Sequence, residues 1–197
     1  MRTTQQYQQI IDENGYTTMD VSDLKWIDDN LMASLQKLNN YKKYKITLLD
    51  EDQEIVLNVA KKRTEHAQKN GYYNNWGTVD PYKIDLEGFG AEMAFCRLFN
   101  CEPDTTDGLK NDDYDTITKK GNKVDIKWTA NINNGLLVKA SKEKKMVDVY
   151  VLVVGNFPTY EIIGYALKDD VFKEDNLKPS KYGHMNHCIS VDKLKKF

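Results

Sequence analysis

The segment VDVYVLVVG, residues 147–155, limits the fold of this chain more than any other stretch. It is rich in β-branched residues, almost wholly apolar and too short for a buried helix. It therefore reads as a strand covered on both faces, which requires a sheet with a layer of structure on each side. Further strands are expected at residues 113–118, 123–129, 136–140 and 160–166, and the first two are joined by KKGNK, a tight hairpin turn. Upstream, helical spacing of Leu24, Ile27, Leu31 and Leu35 predicts a helix over residues 20–40, capped by Asp20 or Ser22. A short strand at 44–49 follows, then a second helix from about residue 50 to 70, stopped by Gly71. A third helix is expected over 86–99. After Lys168 a short helix, a loop around KPSKYGHMNH and a last strand or helix are expected. Helices first and strands afterwards point to an α/β or α+β sandwich, with the helices packed on a mixed sheet. The chain reads as an N-terminal helical extension, 1–50, and a core, 51–197.

Charge narrows the function classes. The net charge of −2 is not that of a protein held on nucleic acid by bulk charge. Its distribution is uneven: residues 118–146 carry eight lysines against two acids, and residues 1–60 carry ten acids against six bases. The lysine-rich stretch is either a solvated hairpin and loop or a phosphate-binding patch, with Lys119, Lys120, Lys139 and Lys142 as its candidate contacts. No run of about 18 apolar residues suggests a membrane span, and the polar N-terminus lacks the apolar stretch of a signal peptide. Three unevenly spaced cysteines argue against a disulfide framework and fit a reducing, cytoplasmic setting.

Chemistry concentrates in three places. In VDIKWT, alternation puts Val124, Ile126 and Trp128 on one face and Asp125, Lys127 and Thr129 on the other. In DDYDTIT, Asp113 and Asp115 share a face, and an odd hairpin loop would bring them to Asp125 and Lys127. Clustered carboxylates repel unless a cation is bound or one acid is protonated. In DLEGFGAEMAFCRLFN, Glu92 lies in line with Phe89, Phe95, Cys96 and Phe99, and a charge within an apolar stripe needs a partner: a metal, Arg97 or a lysine. Glu87 is placed in the first turn of that helix, where an acid suits the dipole. His184, His187 and Cys188 lie close in sequence, but with Cys96 and Cys101 they match no common zinc spacing. Tyr72, Tyr73 and Trp76 either stack on bases or pack a loop.

The order of helix with Glu92, strand ending in Asp115, hairpin, then Asp125-x-Lys127 resembles the PD-(D/E)XK superfamily of restriction-like nucleases, over residues 80–167. Within it the arrangement is similar to small phage and bacterial members. No proline precedes the aspartate, and Asp115 is preferred to Asp113 because it follows Tyr114 and lies nearer the strand centre. The resemblance implies a restriction-endonuclease-like core, a central mixed β-sheet flanked by helices. It implies an Mg2+ site, with Mn2+ as a substitute, held by Glu92, Asp115, Asp125 and the carbonyl of Ile126. Lys127 would then orient the attacking water during hydrolysis of DNA phosphodiesters. A homodimer would suit cutting of both strands. The alternative is a nuclease-fold protein without catalysis, acting as a DNA- or protein-binding module such as a phage accessory factor, with the acidic N-terminal region docking on a basic partner. On either reading its setting is the cytoplasm, the host's if the chain is phage-encoded. Relief of repulsion among the acids predicts that Asp125→Asn raises stability in metal-free buffer.

Overall fold

The main sheet holds five strands, β1 (Lys45–Thr47), β2 (Thr116–Ile117), β3 (Lys123–Thr129), β5 (Val149–Asn156) and β6 (Thr159–Leu167), in the spatial order β1-β6-β5-β3-β2. The structure is a computed structural model that describes residues 44–71, 80–106, 113–180 and 183–197, all within one compact unit, Lys42–Phe197. The helix expected over 20–40 and the aromatic loop with Tyr72, Tyr73 and Trp76 lie outside the described residues. The apolar run of the sequence is β5, in the middle of the sheet. Tyr150, Val151, Leu152 and Val153 are each at most 1 % exposed, because both faces of the strand are covered. The fold is thus α/β with a mixed sheet: β3 and β5 are parallel and the other pairs antiparallel.

One face of this sheet is covered by α1 (Asp50–Lys69) and α2 (Pro81–Phe99). Val56, Val59, Phe89, Phe95, Val124, Ile126, Val151 and Val153 meet there in a first core cluster. The other face is covered by α3 (Lys168–Val171) and a second sheet of β4 (Leu136–Lys139), β8 (Met185–Ile189) and β7 (Leu177–Pro179). Leu136, Val138, Tyr150, Leu152, Val171 and Ile189 form the second cluster. Alternation along β5 divides it between the clusters, Val151 and Val153 to one side, Tyr150 and Leu152 to the other.

Several elements differ from the sequence expectation. The helix expected from residue 86 begins at Pro81, with Asp80 as its cap accepting the Tyr82 N–H (3.0 Å) and proline in the first turn, where no N–H is needed. Glu87 is consequently not in the first turn. It lies in the helix interior, buried, and accepts the Phe157 N–H (2.8 Å) and the Tyr160 hydroxyl (3.0 Å). The strand expected over 113–118 shrinks to Thr116–Ile117. The loop expected around KPSKYGHMNH contains most of β7 and of β8, which pair with one another. Residues 45–47, placed by sequence in the extension, are the edge strand beside β6. Among the described residues no helix is long and apolar enough to cross a membrane.

The Tyr160–Glu87 contact depends on a glycine. A Cβ at Gly90 would overlap the Tyr160 hydroxyl and lie 2.8 Å from its Cζ, whereas one at Gly88 would meet nothing within 4 Å. Gly90→Ala is therefore expected to cost about 2 kcal/mol by overpacking. Gly88→Ala is expected to gain about 0.5–1 kcal/mol from helix propensity. Urea unfolding of the two variants checks the opposite signs.

Candidate active site

The parallel pairing of β3 with β5 requires a crossover connection, and residues 130–148 supply it. This connection contains β4 and the 3-10 turn Ala140–Lys142, and it passes over the sheet face that carries Asp125 and Lys127. On that face Asp125 neighbours Tyr150, and Lys127 neighbours Leu152, across the parallel ladder. Asp125 is 1 % exposed. A carboxylate there needs compensation, and two ammonium groups provide it: Lys127 Nζ donates to Oδ1 and Lys142 Nζ lies 3.3 Å from Oδ2. Lys127 thus shares its acid's face, two residues along the strand, and Lys142 is delivered by the crossover.

Asp115 lies just beyond the two-residue strand β2. Its N–H donates to the Val124 carbonyl (2.8 Å) and its Oδ2 accepts the Ile126 N–H (2.6 Å), so the carboxylate continues the pairing where β2 ends. Its charge acts on Lys127 and Lys142 and also on Cys96 of α2. Burial works against the Lys127 ammonium, but Asp125 and Asp115 outweigh it and hold Lys127 above the ordinary lysine value. Lys142 is shifted the other way, by burial first and then by the neighbouring Lys127 charge, with Asp125 opposing both. Asp113, the other aspartate of the strand, is turned to the crossover instead. It accepts the Met146 N–H (3.0 Å) and pairs with Lys145 (3.2 Å). The hydroxyl of Tyr150 is buried without a hydrogen-bond partner among the described residues.

Glu92 is buried on α2, and its carboxylate faces Arg63 of α1, with both contacts at 3.4 Å. Arg63 also donates to the Asp104 carbonyl (2.9 Å) and stacks over Phe89. Arg97, a partner considered for Glu92 from sequence, pairs with Asp52 of α1 (2.7 Å). Thr64–Asp85 (2.5 Å) is a further polar link between the two helices. The structure therefore brings Asp115, Asp125, Lys127 and Lys142 together and sets Glu92 in the α1–α2 interface. Glu92 and Asp115 both act on the Cys96 thiol. Among the described residues no three His, Cys, Asp or Glu side chains form a group that could hold a metal ion. The carboxylates that the structure gathers there are those of Asp115 and Asp125.

Of the lysines expected to meet phosphate, Lys119 and Lys120 are exposed at the tip of the β2–β3 hairpin and Lys139 is exposed at the end of β4. Only Lys142 enters the site. Sequence reasoning missed Arg63, which lies 29 residues from Glu92 on a helix surface with other bases and carries no local signal. His187 is buried in the second core cluster against Phe172, on the opposite side of the sheet from Cys96 and Cys101.

The cysteines give a direct check on these layers. Burial above all pushes the Cys96 thiol up to about 12, with Cys101, Glu92 and Asp115 adding to it. Cys188 is half-buried on β8, where Lys178 opposes the effect of burial. Iodoacetamide at pH 8 is expected to label Cys188 ahead of Cys96 and Cys101 in the native protein, and all three after denaturation. Peptide mapping by mass spectrometry reads the order.

No protein-family model matches this chain, and a search of curated proteins finds no match.

Proposed function

We propose that this chain is a metal-dependent nuclease that hydrolyses DNA phosphodiesters, built on a restriction-endonuclease-like core, with Asp115, Asp125 and Lys127 as its centre. The observation that carries the reading is the buried Asp125, set beside Asp115 and carrying Lys127 on the same strand face. Hard oxygen donors without sulfur or imidazole suit Mg2+ or Mn2+, and Mg2+ is commonly held by one or two carboxylates with water completing its shell. Asp115 and Asp125 would hold the ion, with the Ile126 carbonyl. When bound, it would polarise the phosphoryl oxygen and make a water acidic enough to attack near neutral pH.

The chain's own residues do the rest. Lys127 orients the attacking water and offsets charge that develops on the phosphoryl oxygens. Lys142, beside it, holds a non-bridging phosphate oxygen. Glu92, balanced by Arg63, belongs to α2 on the other face of the sheet and stands outside this centre. DNA is the partner, a homodimer fits cleavage of both strands, and the cytoplasm is the setting.

A second reading has its own observation. Two acids and two lysines balance one another in charge at this site, as a structural network in a nuclease-like fold without catalysis would. Such a protein would act by binding DNA or a protein partner, the acidic first 60 residues being the docking segment. Incubation of linear, circular and single-stranded DNA with the protein, in Mg2+ or Mn2+ against EDTA, decides between them. Metal-dependent cutting supports the nuclease. No cutting of any substrate leaves the binding module.

A further inference from the structure

Two depressions adjoin at the end of the second sheet, sharing Asp175, Asn176, Ile189 and Lys193 in their walls. One, of about 340 Å³, is bounded by Asp170, Lys173 and Lys195. The other, of about 210 Å³, is bounded by Asn133, Asn134, Lys178 and Cys188. Four lysines thus face two aspartates. Asp170 is engaged by Lys173 and Lys195, each at 2.8 Å. Lys178 and Lys193 are exposed and make no ion pair among the described residues. The amide of Asn133 is exposed beside them in the smaller hollow, and that of Asn134 donates to Thr129 Oγ1 (2.8 Å). Ammonium groups spread over two adjoining hollows suit an extended polyanion rather than a compact apolar ligand.

The position of the groove gives it a direction. Gly135, in the wall of the smaller hollow, leads directly into β4. β4 ends at Lys139, and the next turn sets Lys142 on Asp125. Four strand residues span about 13 Å, a reach that a few nucleotides cover. Lys139 and Lys178 flank Asn186 in the β4-β8-β7 register, so the lysine at the end of β4 and one in the wall of the smaller hollow stand on either side of β8. We propose that this groove binds the phosphate backbone of a nucleic-acid strand and forms the far end of a track leading along β4 to Asp125. The destination of the track rests on the nuclease reading, and the binding by the groove does not.

The test uses the full chain and a fluorescein-labelled single-stranded oligonucleotide in EDTA, read by anisotropy. Lys178→Glu/Lys193→Glu is expected to weaken binding by ~10-fold or more and to lower the log–log salt slope by about 2. Both side chains are exposed, so a thermal unfolding curve like that of the wild type is expected for the double variant. The oligonucleotide is also expected to slow alkylation of Cys188, which lines the smaller hollow. Unchanged affinity with Cys188 unprotected overturns the groove, whatever the cleavage assay shows. Weakened binding and a protected Cys188 uphold it, and they do so equally if the protein cuts nothing, in which case only the nuclease reading falls.

Discussion

Lys127→Ala is expected to lower metal-dependent DNA cleavage by about 10²–10⁴-fold, the range for loss of a positioned proton-transfer or charge-offsetting group, while the protein stays folded. The fold should survive because Asp125 has a second ammonium. With Lys127 gone, Lys142 still lies 3.3 Å from Asp125 Oδ2, so the buried carboxylate keeps a partner. Lys127 has a side chain 23 % exposed, so its truncation opens a site at the surface of the second cluster rather than a sealed cavity. The measurement is single-turnover cleavage beside thermal unfolding of the same samples. Full cleavage by the variant removes Lys127 from the mechanism. A large fall in Tm would mark it as a structural residue.

Asp125→Asn is expected to destabilise the protein by about 3 kcal/mol in EDTA, against the gain in stability that the sequence suggests. From the sequence, Asp125 is one acid among several, and removing its charge relieves repulsion. In the structure it is the single carboxylate shared by Lys127 and Lys142, and the amide leaves two neighbouring ammonium groups with Asp115 alone to balance them. Breaking a buried ion pair from one side costs about 3–5 kcal/mol. The lower end applies because the two lysine side chains are 23 % and 31 % exposed and can turn toward water. For a unit of this size the loss corresponds to a Tm lower by about 6–12 °C. Addition of Mg2+ is expected to raise the Tm of the wild type and not that of the variant. A variant more stable than the wild type in EDTA would show that acid repulsion dominates the site.

These two variants separate what could be read from the chain. Alternation in VDIKWT set Asp125 and Lys127 on one face and Val124 and Ile126 on the other, and the residues stand so, because a strand buried on one side by helices must turn its apolar set inward. The apolar run at 147–155 required a covered central strand, and β5 is one. The 50–70 helix was legible from its periodicity. Helix α2 was placed late because its Asp80-Pro81 start follows an aromatic, glycine-rich stretch that resembles a loop, and that error displaced Glu87 into a first turn it does not occupy.

Local pattern therefore determined the elements, their buried faces and the acid and lysine that share a strand face, since periods of two and of 3.6 residues depend only on neighbouring positions. The tertiary structure alone decided the partners. Lys142 reaches Asp125 because a parallel pair needs a crossover and this one passes over the site. Arg63 reaches Glu92 because α1 and α2 pack side by side. Asp115 reaches the Ile126 N–H because β2 begins only at Thr116, so its carboxylate takes that N–H in place of a further ladder bond. Each of these pairings joins residues that are 11 to 29 positions apart in the chain, a separation over which no local periodicity carries information.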